Sequence, residues 1–209
     1  MQPKEATVFV IDDDPEVRGA LQRLMRSEGW RVEAFAAAQE FLDAAPAEGV
    51  GCILLDVNMP GMTGPQLQEH LGRAGVGIPV IFLTGQCSVS MGVQAMKNGA
   101  VDFLEKPIDA DALMPAIERA VATHRRTRDQ GLQLAEIQHR LEDLSARERQ
   151  VFNLVVLGRL NKQIAGELGI AEKTVKVHRG RVMSKMKVRS VAQLVHLYEQ
   201  VLAAEAATA

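Results

Sequence analysis

The 209 residues carry 24 Lys/Arg against 26 Asp/Glu and are 47% hydrophobic but only 4% aromatic. That composition fits one large or two small globular domains and argues against base-stacking RNA modules and membrane spans. The charge is unevenly divided: residues 1–122 hold nine Lys/Arg against 17 Asp/Glu, and residues 123–209 hold 15 against nine. An acidic half joined to a basic half predicts two domains, the second suited to nucleic acid.

Short apolar runs at 7–12, 31–35, 52–56, 79–84 and 101–105 alternate with helical patterns such as Val17, Leu21, Leu24 and Met25. Runs of this length read as buried parallel strands, and five βα units predict a doubly wound parallel sheet. The last helix of the series starts near Asp111 and carries Leu113, Ile117 and Val121. The strand candidates end in polar residues: Asp12, Asp13 and Asp14, then Asp56, Thr84 and Lys106. In an open α/β sheet such groups gather outside the carboxyl ends of the strands. Packed carboxylates repel, so the pocket calls for a raised pKa or a divalent cation, and it suits a hard cation with a phosphoryl group. Asp14, followed by Pro15, reads as the cap of the first helix. Cys52 falls in a strand and reads as core. Cys87 lies near the pocket, read as a small loop residue with a redox role as the alternative. Two thiols without a metal motif predict a reduced, cytosolic chain.

From 123 to 144 the character changes. THRRTRDQ is charged and reads as having no core, and Leu134, Ile137, Leu141 and Leu144 then form a stripe about two heptads long. It predicts an amphipathic linker helix that packs locally, or else a dimeric coiled coil. Beyond it, Ser145-Ala-Arg-Glu148 is a capping box opening a helix to about Leu157. Asn161 is placed to cap a short helix over 162–168 that stops at Gly169; further helices cover 172–186 and 190–202. The AAEAATA tail reads as frayed. Residues 145–189 hold 11 Lys/Arg against three acidic residues, and two short helices meeting at Gly169 predict a helix-turn-helix.

The first half, with VFVIDDD, LLDVNMPGMTG, VIFLTG and FLEKP in order, resembles a response-regulator receiver domain of the flavodoxin-like class. The resemblance implies Asp56 as phosphoacceptor and Mg2+ held by Asp12, Asp13, Asp56 and the backbone carbonyl of Asn58. It also implies Thr84 and Lys106 as phosphoryl partners, Phe103 as switch aromatic and a cis Lys106-Pro107 bond. Gly85-Gln86-Cys87-Ser88 departs from the family pattern beside the pocket. The second half, LSARERQVFNLVVLGRLNKQIAGELGIAEKTVKVHRGRVMSKMKV, resembles the LuxR-type output domain of NarL/FixJ regulators, closest to FixJ-like members. Ile164, Ala165, Leu168, Val175, Val182 and Met186 would form its core. Lys173, Lys176, Val177, His178, Arg179 and Arg181 are left for the outer face of the recognition helix. Thr174, Lys176 and Val177 are placed for base edges, and Lys162, Arg179, Arg181 and Lys185 for phosphates.

The reading is a receiver (1–122), a helical linker (123–144) and a helix-turn-helix domain (145–209). It implies a cytoplasmic, phosphorylation-activated transcription regulator, an activator and not an enzyme. Its implied partners are a sensor histidine kinase, promoter DNA, RNA polymerase and a second copy of itself, with no membrane. Two rivals remain. A haloacid-dehalogenase-type phosphohydrolase would use similar groups, but its nucleophile follows the first strand in a DxDx(T/V) pattern, and Asp12-Asp13-Asp14-Pro15-Glu16 fails the last position. An interaction protein that sequesters a partner would not protect a promoter fragment.

Overall fold

The computed structural model describes residues 5–45, 49–85 and 89–208, with side chains left undescribed at 89–91 and 207–208. It divides into two compact units, Met1–Arg128 and Asp129–Ala209.

In the first unit, β1 (Thr7–Ile11), β2 (Arg31–Phe35), β3 (Gly51–Asp56), β4 (Val80–Thr84) and β5 (Asp102–Glu105) form a parallel sheet of order β2-β1-β3-β4-β5. The helices that follow each strand are α1 (Pro15–Ser27), α2 (Ala38–Ala44), α3 (Gly64–Arg73), α4 (Val89–Lys97) and α5 (Ala110–Glu142). Strand side chains alternate between faces. Val8, Val10, Cys52, Leu54, Ile81 and Leu83 pack with Leu21 and Met25 of α1 and with Leu113 and Ile117 of α5. Phe9, Ile11, Ile53, Leu55 and Phe82 pack the other face with Phe41 of α2, Leu67 and Leu71 of α3 and Ala95 of α4. Burial on both faces explains why the central strands read as continuous apolar runs; each such Leu, Ile or Phe stabilises the fold by about 1.5–3 kcal/mol relative to exposure. The strand order reverses between β1 and β3, and the crevice at such a reversal is where ligands bind.

The second unit is all helix. Ile137, Leu141 and Leu144, from the stripe at the end of α5 and just beyond it, join the core of α6 (Ala146–Val156), α7 (Asn161–Leu168), α8 (Glu172–Lys185) and α9 (Val191–Thr208). Leu134 packs at its edge. The stripe is therefore spent inside the unit, as the local-packing alternative expects. Gly169, at φ 64°, ends α7 in the left-handed conformation that the turn into α8 requires.

Three expectations are corrected. The THRRTRDQ stretch is not without core: His124 is buried, and its Nδ1 lies 3.0 Å from the Gly51 amide nitrogen and 2.9 Å from its carbonyl oxygen. The tail does not fray where expected; α9 runs on to Thr208, because Ala and Glu favour helix and Val201 is anchored in the core. Asn161 does not cap α7. Leu160 holds that position, with its N–H donating to Gln163 Oε1 at 2.8 Å, while Asn161 Oδ1 accepts from Arg179 Nη1 at 2.9 Å.

Candidate functional site

At the carboxyl ends of β1, β3, β4 and β5 the polar residues converge. Asp12 and Thr84 are fully buried, and Asp56 is nearly so. Lys106 Nζ donates to Asp12 Oδ2 at 2.7 Å and to Asp56 Oδ1 at 2.5 Å, bridging residues 94 and 50 positions away in the chain. Its backbone N–H donates to the Thr84 carbonyl at 2.7 Å, which fixes Lys106 beside the hydroxyl residue. The remaining carboxylate oxygens are also engaged: Asp56 Oδ2 accepts from the Asn58 N–H at 2.7 Å, and Asp12 Oδ1 from the Asp14 N–H at 3.0 Å. Asp14 caps α1, accepting from Glu16 and Val17, with Pro15 at the first helical position. Lys106-Pro107 is a cis peptide.

Burial pushes the Asp12 carboxyl above its usual pKa, and the Lys106 hydrogen bond only partly offsets this. For Lys106, burial favours the neutral amine, yet hydrogen bonds from Nζ to Asp12 and Asp56 and their charges outweigh it and hold its pKa above the ordinary lysine value. One ammonium between two carboxylates leaves a surplus negative charge. Of the two carboxylate side chains, Asp12 is 0% exposed and Asp56 is 7% exposed, so of the pair it is Asp56 that touches solvent.

Phe103 is half-buried on β5, its ring centroid 6.1 Å from that of Phe82. Asp13 and Asn58 are exposed, and among the described residues no three His, Cys, Asp or Glu side chains converge as a ready-made metal cage. Cys87 and the departing residues 86–88 lie outside the described residues. Two supports were missed in the sequence. Arg18 Nη1 donates to the carbonyls of Asp12 at 2.7 Å and Asp13 at 3.2 Å, tying down the acidic loop. Gly64 starts α3 so close to β3 that a Cβ would strike the Asp56 carbonyl. The MTG of LLDVNMPGMTG carries that second signal, whereas Arg18 carries none.

In the second unit, Val175 and Val182 anchor α8 in the core, with Met186 just after it. Lys173, Thr174, Lys176, Val177 and Arg181 are exposed, as is Lys162 on α7. His178 and Arg179 are half-buried on the flank of α8, not on its outer face, and Arg179 is bonded to Asn161. Lys185 departs most from expectation. Its Nζ donates to Glu148 Oε2 at 2.7 Å and to the Asp143 carbonyl at 2.9 Å. Glu148, buried, also accepts from the Ser145 N–H at 2.9 Å in the capping box of α6. The Lys185 hydrogen bond, with that from Ser145, holds the Glu148 carboxyl at about 2.

Residues 8–118 match the response regulator receiver domain family, and residues 142–198 match the bacterial regulatory proteins of the luxR family. Nodulation protein W of Bradyrhizobium diazoefficiens is 44% identical over 93% of this chain and 86% of its own length. The transcriptional regulatory protein FixJ of Azorhizobium caulinodans is 43% identical, covering 93% and 92%. Among solved structures, the response regulator StyR superposes with a TM-score of 0.86 at 47% identity, covering 94% of this chain and all of that one. Full-length FixJ from B. japonicum superposes at 0.58 and 39%, covering 96% and 98%. Receivers of this family generally bind Mg2+ at their phosphorylation site, and no helix among the described residues is long and apolar enough to cross a membrane. The chain belongs to the two-component response regulators of the NarL/FixJ type, and it is a phosphorylation-activated regulator of transcription that joins a receiver to a LuxR-type helix-turn-helix.

Proposed function

We propose that Asp56 is the phosphoacceptor, taking its phosphoryl group from a sensor histidine kinase. The observation that carries this reading is the Lys106 ammonium shared between Asp12 and Asp56 beside Thr84. One Asp56 oxygen forms the new O–P bond as the bond to the donor breaks. Lys106 shifts from the carboxylates to the phosphoryl oxygens as a compact point charge, and the Thr84 hydroxyl hydrogen-bonds the same group. Phe103 follows Thr84 and changes the face built from α4, β5 and α5.

The donors around the pocket are all oxygens, the set a hard divalent cation prefers. Asp12, Asp13, Asp56 and the Asn58 carbonyl would hold Mg2+. When bound, it lowers repulsion between the acceptor carboxylate and the incoming phosphoryl group.

We divide the chain functionally into a receiver (1–122), a helical linker (123–144) and a DNA-binding domain (145–209). Thr174, Lys176 and Val177 are assigned to base edges in the major groove. Lys162, Lys173, Arg179 and Arg181 are assigned to phosphates, with His178 beside them. Lys185 is reassigned: with its ammonium held by Glu148 and Asp143, it anchors the end of α8. Phosphorylation then drives dimerisation, unmasking of the basic domain, or both. The activated protein works in the cytoplasm as an activator that engages RNA polymerase, and it is a regulator, not a turnover enzyme.

Asp56→Asn, whose amide cannot accept the group, should lose all labelling by acetyl phosphate. Undiminished acid-labile label on that variant would overturn the assignment.

A further inference from the structure

Between α4 and the sheet lies a cavity of about 120 Å³, walled by Val57, Phe82, Ala95 and Phe103. The space follows from the residues. Gly92 and Ala95, three apart, share one face of α4, and that face offers little to fill the gap. A Cβ added at Gly92 would come no nearer than 3.9 Å to the Phe103 ring. The rings of Phe82 and Phe103, with centroids 6.1 Å apart, form adjoining walls. Val57, Phe82 and Ala95 are buried. Pro65, Gln94 and Asn98 are exposed and complete the lining as its mouth, where Gln94 Nε2 donates to Asn98 Oδ1 at 3.0 Å. The walls are almost wholly apolar. Water needs two or more polar partners to occupy a buried space, whereas a dry apolar cavity of roughly 150 Å³ admits benzene or xenon. None of the lining residues is Asp12, Asp56, Thr84 or Lys106, so the cavity is separate from the phosphoryl pocket.

We propose that this cavity is a binding site for a small apolar molecule, up to the size of a benzene ring, and that its occupant holds Phe103 in place. The lining selects the chemistry. A charged or strongly polar ligand would give up its hydration for walls that return no hydrogen bonds. An apolar ring leaves water and gains contact with Val57, Phe82, Ala95 and Phe103 together. Phe103 is the wall shared with the switch. With the space beside its ring filled, the ring has less room to move, so the occupant opposes phosphorylation at Asp56. Such coupling is reciprocal, and phosphorylation therefore weakens the occupant by the same factor. The coupling rests on the proposed role of Phe103; the binding does not.

The test uses the full chain, with benzene as the probe. Benzene should shift denaturant unfolding followed at Trp30 to higher denaturant. It should also show nuclear Overhauser contacts with the methyl groups of Val57 and Ala95. Ala95→Leu and Ala95→Met place side-chain atoms in the cavity and should abolish both signals. Ala95→Met is the milder change, because its unbranched side chain adapts to the space. The wild-type contacts need no variant and decide the matter if either substitution breaks the fold. Acetyl phosphate should weaken benzene binding by about fivefold or more in the wild type and leave it unchanged in Asp56→Asn. Absence of benzene contacts to Val57 and Ala95 in the wild type overturns the inference, and so does wild-type benzene affinity in both Ala95 variants. Unchanged benzene affinity in a wild-type chain that acetyl phosphate has labelled overturns it as well. If acetyl phosphate labels nothing, it is the phosphoacceptor reading that fails, and the Val57 and Ala95 contacts still decide the site.

Discussion

Each unit contains a lysine bonded to a buried carboxylate, and the two arrangements differ in their charge balance. In the receiver, Lys106 is shared by Asp12 and Asp56 at 2.7 and 2.5 Å, leaving one negative charge unmatched. In the helical unit, Glu148 is the one carboxylate that Lys185 meets, at 2.7 Å, and the same oxygen, Oε2, accepts the Ser145 N–H of the capping box. The first cluster keeps a surplus negative charge that a further cation can balance. The second is complete, and its product is a fixed position for the end of α8. The two lysines thus differ in how many carboxylates share them, two for Lys106 and one for Lys185.

The largest effect expected from breaking this contrast is on the second cluster. Lys185→Met should lower the stability of the helical unit by about 2 kcal/mol, less than for a fully buried pair because the lysine is partly solvated. The chain holds one Trp and one Tyr, and they report on different units. Tyr198 packs edge-on against Phe152 at 5.3 Å in the helical core, whereas Trp30 lies in the receiver core. Denaturant unfolding followed at Tyr198 should shift, and the Trp30 signal should not. A wild-type Tyr198 transition would return Lys185 to the role of a phosphate contact.

A smaller effect sharpens the other side. Lys106→Met leaves Asp12 and Asp56 without their shared cation, so Mg2+ should stabilise this variant more than the wild type. Ten times the dissociation constant is worth about 1.4 kcal/mol. The comparison is the Trp30 melting shift with and without Mg2+. Lys185→Met should gain nothing at Tyr198, and a gain there equal to that at Trp30 would erase the distinction.

The smallest concerns acid. Glu148 titrates at about 2 in the folded unit, below its ordinary 4.5. Its contribution is therefore complete above about pH 4.5 and is lost as pH falls towards 2. Between those values the wild-type Tyr198 transition should weaken more steeply than that of Glu148→Gln. Parallel profiles would mean that the carboxylate is not held as described.

The same contrast explains what the sequence made legible. The pocket could be read because Asp12, Asp56, Thr84 and Lys106 each end an apolar run, and buried parallel strands announce themselves by that pattern. The helix-turn-helix was equally open, through Gly169 and the periodic core residues. Glu148 was recognised as a local capping residue, but its second bond to Lys185, 37 residues away, has no periodic signal. His124 and Arg18 were missed for the same reason: polar side chains that bond to distant or irregular backbone look like surface. The continuation of α9 could have been anticipated from its alanines, but a weak propensity cannot locate a helix end without the packing of Val201.

The central claim is that the charge state of Asp56 governs how the helical unit meets DNA. Its most direct test is the affinity of the full chain for a duplex that it selects from a random-sequence pool, with and without acetyl phosphate, in the wild type and in Asp56→Asn. We predict a rise of about tenfold or more in the wild type, of the size expected for coupled sites, and no rise in Asp56→Asn. Equal affinities in the treated and untreated wild type, or the same rise in Asp56→Asn, would contradict it.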